Sequence, residues 1–176
     1  LKAEPTNFTV VRVKRDVLKR SSIGAMITNR SVATSRTGSN AVYGLDGAFL
    51  LSQALTAGAY WAQSQTTGVA GDDQSYQGRL DYSVDNFGAK AEFLAVGRNF
   101  DPQVGFRRRS DINRSFGELR FSPRPTNQTV VRKFTGTASG EYVENGMGKV
   151  ETRVWRGSFD TEFANSDVLG FDVTRK

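Results

Sequence analysis

The sequence predicts an all-β fold: an antiparallel, up-and-down membrane β-barrel of about ten strands, present as a fragment of a larger barrel. Three observations carry this. Apolar residues fall at every second position, so that Leu80, Tyr82 and Val84 alternate with Arg79, Asp81 and Ser83. After the turn Asp85-Asn86-Phe87-Gly88, Ala89, Ala91 and Phe93 alternate with Lys90 and Glu92. The polar face carries opposite charges that would meet across the hairpin, while the apolar face is rich in Gly, Ala and aromatics. That pairing of faces suits a sheet closed around a polar lumen with lipid outside. Finally, connections alternate between short and long over the first three strand pairs, as turns and loops on opposite sides of a membrane do.

The elements follow in order. Thr9–Val13 and Ile23–Thr28 read as a first pair, joined by the charged stretch from Lys14 to Arg20. A polar connection rich in Ser, Thr and Asn runs from Asn29 to Asn40. The second pair is Val42–Leu51 and Leu55–Gln65, with Tyr43, Leu45, Gly47 and Phe49 on one face and Asp46 on the other. The loop from Thr66 to Gln74 contains two glycines and two aspartates, which are turn formers. Tyr76–Val84 and Ala89–Gly97 form the third pair, followed by the longest irregular segment, Arg98 to Arg114. Gly117–Phe121 and Val130–Tyr142 are joined across Pro123-Arg124-Pro125. Val150–Phe163 and Val168–Thr174 close the series at Asn165-Ser166-Asp167. The short Asn145-Gly146-Met147-Gly148 turn stands where the alternation calls for a long loop.

Composition narrows the chemistry. The 176 residues suffice for one domain or a large piece of one. No stretch approaches the ~18–20 consecutive apolar residues of a membrane helix, a test that barrels escape because half of each strand faces water. There are no cysteines and no histidines. Disulfides, thiol nucleophiles, Ser-His-Asp catalysis and the usual zinc sites are thereby excluded. No dinucleotide or phosphate-loop motif and no HExxH occurs, so no cofactor is expected. The start at Leu1 and the end at Arg175-Lys176 both read as cut, consistent with a piece of a longer exported chain.

Candidate site residues lie on the polar face. Arg79, Asp81, Lys90, Glu92, Arg156, Asp160 and Glu162 are expected to form an ion network in the lumen, with Arg12, Asp46, Glu118, Arg120, Lys133 and Glu141 also pointing inward. Asp160 and Glu162 could mimic a glycosidase pair, but two residues along a strand are ~6–7 Å apart simply from strand rise, and Arg156 stands beside them. Asn7-Phe8-Thr9, Asn29-Arg30-Ser31, Asn113-Arg114-Ser115 and Asn127-Gln128-Thr129 match glycosylation acceptors, a pattern that turn residues produce by chance. Net charge is +6, concentrated around Arg107, Arg108, Arg109 and Arg114. With no basic stripe over the sheet, nucleic acid is not an expected partner. Placed in a long outward loop, these four arginines are instead expected to bind lipopolysaccharide phosphates through forked hydrogen bonds.

Two segments, from Phe8 to Asp16 (FTVVRVKRD) and from Ser22 to Arg30 (SIGAMITNR), resemble a known family, as does Asn99-Phe100-Asp101-Pro102-Gln103-Val104-Gly105-Phe106 followed by arginines. The ending Phe163-Ala164-Asn165-Ser166-Asp167 before a final strand is similar too. The family comprises uncharacterised bacterial proteins with an N-terminal carbohydrate-binding-module-like sandwich and a C-terminal outer-membrane-barrel-like domain, and the likeness covers the latter. The resemblance implies export, a place in the bacterial outer membrane, and glycan binding through a module outside these residues. It supplies no catalytic residue.

The expected function is a non-enzymatic outer-membrane barrel, in contact with membrane lipid and lipopolysaccharide, that anchors or serves a glycan-binding module. The alternatives are a carbohydrate-active hydrolase using inward carboxylates such as Glu92 or Asp160, and a soluble ligand-binding barrel.

Overall fold

The computed structural model describes residues 5–35, 38–126 and 129–176, so Leu1 and the Asn127-Gln128 part of one acceptor motif lie outside the described residues. The chain folds into β1 (Phe8–Val17), β2 (Ser21–Arg30), β3 (Asn40–Leu50), β4 (Leu55–Thr66), β5 (Gln74–Ser83), β6 (Phe87–Val96), β7 (Ile112–Phe121), β8 (Val131–Asn145), β9 (Val150–Phe163) and β10 (Val168–Arg175). They form one ten-stranded sheet in sequence order, every neighbouring pair antiparallel, with no helix among the described residues. The sheet is open. β1 and β10 are its edges rather than partners, and β10 is exposed along its whole length. The fold is therefore the predicted up-and-down meander, and a barrel fragment at most.

Two expected boundaries move. The basic run after Val13 is not a connection: β1 continues to Val17, and the chain reverses at 18–20, where Leu18 and Arg20 take φ values of 55° and 60°. Alternation explains this, because Val13, Arg15 and Val17 share a face with Val11. The irregular segment after β6 likewise stops at residue 111, since Ile112, Arg114 and Phe116 already alternate with Asn113 and Ser115. The turn at 146–149 is as read: the Asn145 side-chain oxygen accepts from the backbone N–H of Met147 and Lys149, and Gly148 supplies φ +75°.

Register assigns the faces. Val42, Asp46, Tyr60, Arg79, Glu92, Arg114, Glu141 and Arg156 lie on one face, while Tyr43, Leu45, Trp61, Tyr76, Phe93, Tyr142 and Trp155 lie on the other. The second face is uncovered: Leu45, Leu80, Leu119 and Trp155 are all more than half or about half exposed, and Phe93 and Phe159 are each 40% exposed. The buried apolar cluster sits on the first face, where Val42, Val96, Ile112 and Val143 pack with Phe100 from the 97–111 segment. With no second sheet or helix over it, that burial comes from the segment and from the sheet's own curvature.

On the uncovered face the aromatic residues form two lines. One joins Tyr43, Trp61, Tyr76, Phe93, Tyr142 and Trp155, in the halves of the strands nearer the connections 31–39, 67–73, 97–111 and 146–149, here termed the loop end. The other joins Phe49, Tyr82, Phe87, Phe121, Phe134 and Phe163 toward the opposite, turn end. Between them lie mostly small and aliphatic residues such as Gly47, Ala57, Gly78, Leu80, Ala91 and Leu119, with Phe159 and Thr161 on β9 as the larger exceptions. From β2 to β9 no residue facing outward between the lines is ionisable.

Neither line runs along a row of paired residues. The row through Trp155 passes Gly140, Gly117, Ala91, Leu80 and Ala57 and reaches β3 at Phe49, six residues below Tyr43. The loop-end line therefore descends about 20 Å at ~3.4 Å per residue while crossing six spacings of about 4.8 Å, or about 29 Å. The turn-end line starts at Phe49 in that same row and ends at Phe163, eight residues beyond Trp155, a descent of about 27 Å. Both slopes correspond to a strand inclination of about 35–43°, the tilt of closed barrels.

Small residues in the band seat the rings. A Cβ at Gly140 would stand 2.6 Å from Cζ3 of Trp155. Gly140→Val is expected to displace that ring and to cost about 1 kcal/mol, measured as a lowered urea midpoint of unfolding. Gly157→Ala, where nothing lies within 4 Å, serves as the neutral comparison.

Candidate functional site: the ion-paired inner face and its strap

Contacts organise the inner face at the β1 side, in the middle, at the turn end and at the loop end. On the β1 side, Arg12 reaches over β2 to Asp46 on β3 at 2.8 Å. It can do so because Gly24 lies between them, where a Cβ would stand 2.8 Å from the Asp46 carboxylate. In the middle, Arg114 on β7 bonds Glu92 on β6 through Nη1 at 2.5 Å and Glu141 on β8 through Nε at 2.9 Å. Its guanidinium also lies 5.6 Å from the centre of the Phe116 ring. Directly below, Lys90 on β6 meets Glu118 on β7 at 2.9 Å. At the turn end Arg120 donates to the carbonyls of Val84, Asp85 and Phe87 and to the Ser122 hydroxyl, fastening the 84–86 turn to β7.

At the loop end the segment 97–111 folds over the inner face. Asn40, 0% exposed, donates to the Asp101 carbonyl and accepts from the Gln103 N–H. Ser64, 1% exposed, accepts from the Asp101 N–H and donates to the Asn99 carbonyl. Gln103 accepts from the Thr34 N–H in the 31–39 connection. Asn99 bonds the Gly71 carbonyl in the 67–73 connection. Arg107 bonds the Phe100 carbonyl and pairs with Asp101, Arg98 pairs with Asp111, and Arg109 reaches Glu151 on β9. The segment is thus a strap pinned from β3 and β4 on one side to β9 on the other.

Set against the sequence reading, Lys90, Glu92 and Glu162 are ion-paired, but not as the β5–β6 hairpin suggests. Arg79 stands opposite Glu92 and Asp81 opposite Lys90 in register, yet Glu92 and Lys90 turn to β7, and Arg79 lies instead over Gly58 on β4 with Nε close to it. Glu162 pairs with Arg132. Asp81, Arg156 and Asp160 join no ion pair among the described residues. The arginine cluster divides: Arg114 is an inner-face strand residue and not part of the loop, Arg107 and Arg109 hold the strap, and exposed Arg108 makes no ion pair among the described residues. Sequence reading passed over Asn40 and Ser64 as polar filler; only their tertiary burial distinguishes them. No group of three or more Asp or Glu among the described residues is placed to hold a metal. Comparison with protein-family models, with curated proteins and with solved structures finds no match to this chain.

The Glu92–Arg114–Glu141 clamp ties three strands through a guanidinium about one-quarter exposed. Arg114→Gln leaves two facing carboxylates and removes charge-assisted hydrogen bonds, with an expected destabilisation of about 1.5–3 kcal/mol. Lys14→Gln, on exposed β1, is expected to change stability by less than about 0.5 kcal/mol. Denaturant titration of both variants measures the difference.

Proposed function

We propose that the chain is a membrane-spanning wall of a non-enzymatic β-barrel in the bacterial outer membrane, which anchors or serves a glycan-binding module carried elsewhere in the protein. The observation that carries this reading is the pair of aromatic lines. They bound a band free of ionisable outward residues and slope across the sheet at the inclination that would hold them level in a tilted barrel. Outer-membrane barrels carry such girdles at both interfaces. Projected at that tilt, the lines stand about 16–21 Å apart at the backbone, short of the ~25 Å apolar band by about a residue at each edge.

A soluble ligand-binding barrel would present the charged face to water and bury the aromatic one, and the exposure of Leu80, Phe93 and Trp155 speaks against it. The hydrolase reading finds its two named carboxylates differently placed: Glu92 is engaged by Arg114, and Asp160 lies against Gly170 on β10. Membrane lipid is the proposed partner of the apolar band. Lipopolysaccharide phosphate is the proposed partner at the loop end, where exposed Arg108 makes no ion pair among the described residues.

Neighbouring positions of opposite parity provide the test. Leu80→Arg would put a charge near mid-band on the outer face, whereas Gln77→Arg would put one on the inner face. In lipid vesicles Leu80→Arg is expected to cost about 2–4 kcal/mol of folding free energy and Gln77→Arg less than about 1 kcal/mol, read by urea titration of the folded fraction. Equal costs would contradict the membrane assignment of the faces.

A further inference from the structure

We infer that the 97–111 strap is a fixed seal across the loop end of the lumen, which makes the barrel a closed anchor and not a diffusion pore; this rests on the membrane-barrel reading above. Three features support it. First, the strap is built in as structure. Its backbone at residues 99, 101 and 103 is read by Asn40 and Ser64, side chains removed from solvent on the inner face. A buried polar group that loses a partner is costly, so withdrawal of the strap would leave the Asn40 amide only its bond to Thr66 and the Ser64 hydroxyl only its contact to the Asp73 carbonyl. Second, its apolar member Phe100, 8% exposed, fills the space among Val42, Val96, Ile112 and Val143. Those residues come from β3, β6, β7 and β8, so the plug meets the wall over much of its arc. Third, its contacts reach every side of the loop end: Thr34 in 31–39, Gly71 in 67–73, and Glu151 on β9 just past 146–149. A loop that merely hung outside would not engage residues so far apart in the sheet.

Below the strap the inner face is crowded as well. Arg114 with its two glutamates, Lys90 with Glu118, and Arg120 at the turn end occupy successive levels of the same three strands. An apolar seal above charged, wettable levels predicts that water enters from the turn end and stops at Phe100. The chemistry that would open the path is loss of the two polar anchors or of the strap itself.

Ion conductance of the whole polypeptide that carries this sequence, reconstituted in planar bilayers with potassium chloride, tests the inference. One variant replaces residues 99–109 with a Gly-Ser linker. A second, Asn40→Ala with Ser64→Ala, keeps the loop and removes its anchors. Vesicle flotation and heat-modifiable migration report insertion and folding independently. The intact protein is expected to be silent and both variants to conduct, at least about tenfold above baseline. Steady conductance by the intact protein would overturn the seal, whatever the variants do. Silence of an inserted, folded variant would show that the strap is not what closes the lumen. An intact protein that fails to float with vesicles would instead overturn the membrane reading.

Discussion

Everything in this molecule depends on one continuous antiparallel ladder. Each inner strand must meet its backbone N–H and C=O groups through the strands on either side of it. That requirement fixes strand order and register together, and register fixes parity. Each residue then belongs to one face or the other with no intermediate choice, and a slip of one position would exchange the faces entirely. The nine pairings from β1–β2 to β9–β10 keep parity except near the two ends of β8–β9, where one-residue shifts fall between Val131 and Lys133 and between Val143 and Glu144.

The two faces then solve different problems. On the uncovered face, between the aromatic lines, side chains are mostly glycine, alanine and aliphatic or aromatic residues, with no ionisable group from β2 to β9. On the other face, apolar packing is confined to the Phe100 cluster at the loop end. Long cations reach across strands instead, over Gly24, Gly58 and Gly88, where missing Cβ atoms leave room for Arg12, Arg79 and Arg120 to lie flat. Individually such partly exposed ion pairs contribute little. Their arrangement in diagonals spanning two or three strands resists sliding between neighbours, and register is what the fold most needs to protect. At the open edges the same device is incomplete: β1 and β10 are exposed, as lateral strands are before a sheet closes.

Much of this was legible in the amino-acid sequence wherever alternation was strict. β9 was bounded at Val150–Phe163 as observed, and the β5–β6 hairpin was placed within two residues at each end. The misreadings have a common cause. Lys14-Arg15-Asp16 and Asn113-Arg114 read as connections because they are polar, although a strand with one polar face is polar at every second position and here becomes polar at adjacent ones. Partner choice was also beyond reach: Glu92 faces Arg79 in the hairpin yet binds Arg114 from the third strand, because Arg79 lies over Gly58 on β4 while Arg114 sits between Glu92 and Glu141. Burial of Asn40 and Ser64 beneath the strap depends on contacts more than 30 residues away in the chain. The slope of the aromatic lines required the register of six strand pairs, from β3–β4 to β8–β9, which alternation leaves undetermined.

The central claim is that the aromatic lines are level with a membrane surface, and the chain's two tryptophans address it directly. Trp61 and Trp155 lie on different rows of the ladder, four residues apart in register, but on the same sloping line. Depth-dependent quenching by brominated lipids in vesicles, measured on Trp61→Phe and Trp155→Phe separately, reads the depth of the remaining indole. The account predicts that the two depths agree within about 2–3 Å and sit at the interface, as girdle residues do. Depths differing by about 10 Å, the projection of four residues at a tilt near 40°, or quenching by aqueous iodide alone, would contradict it.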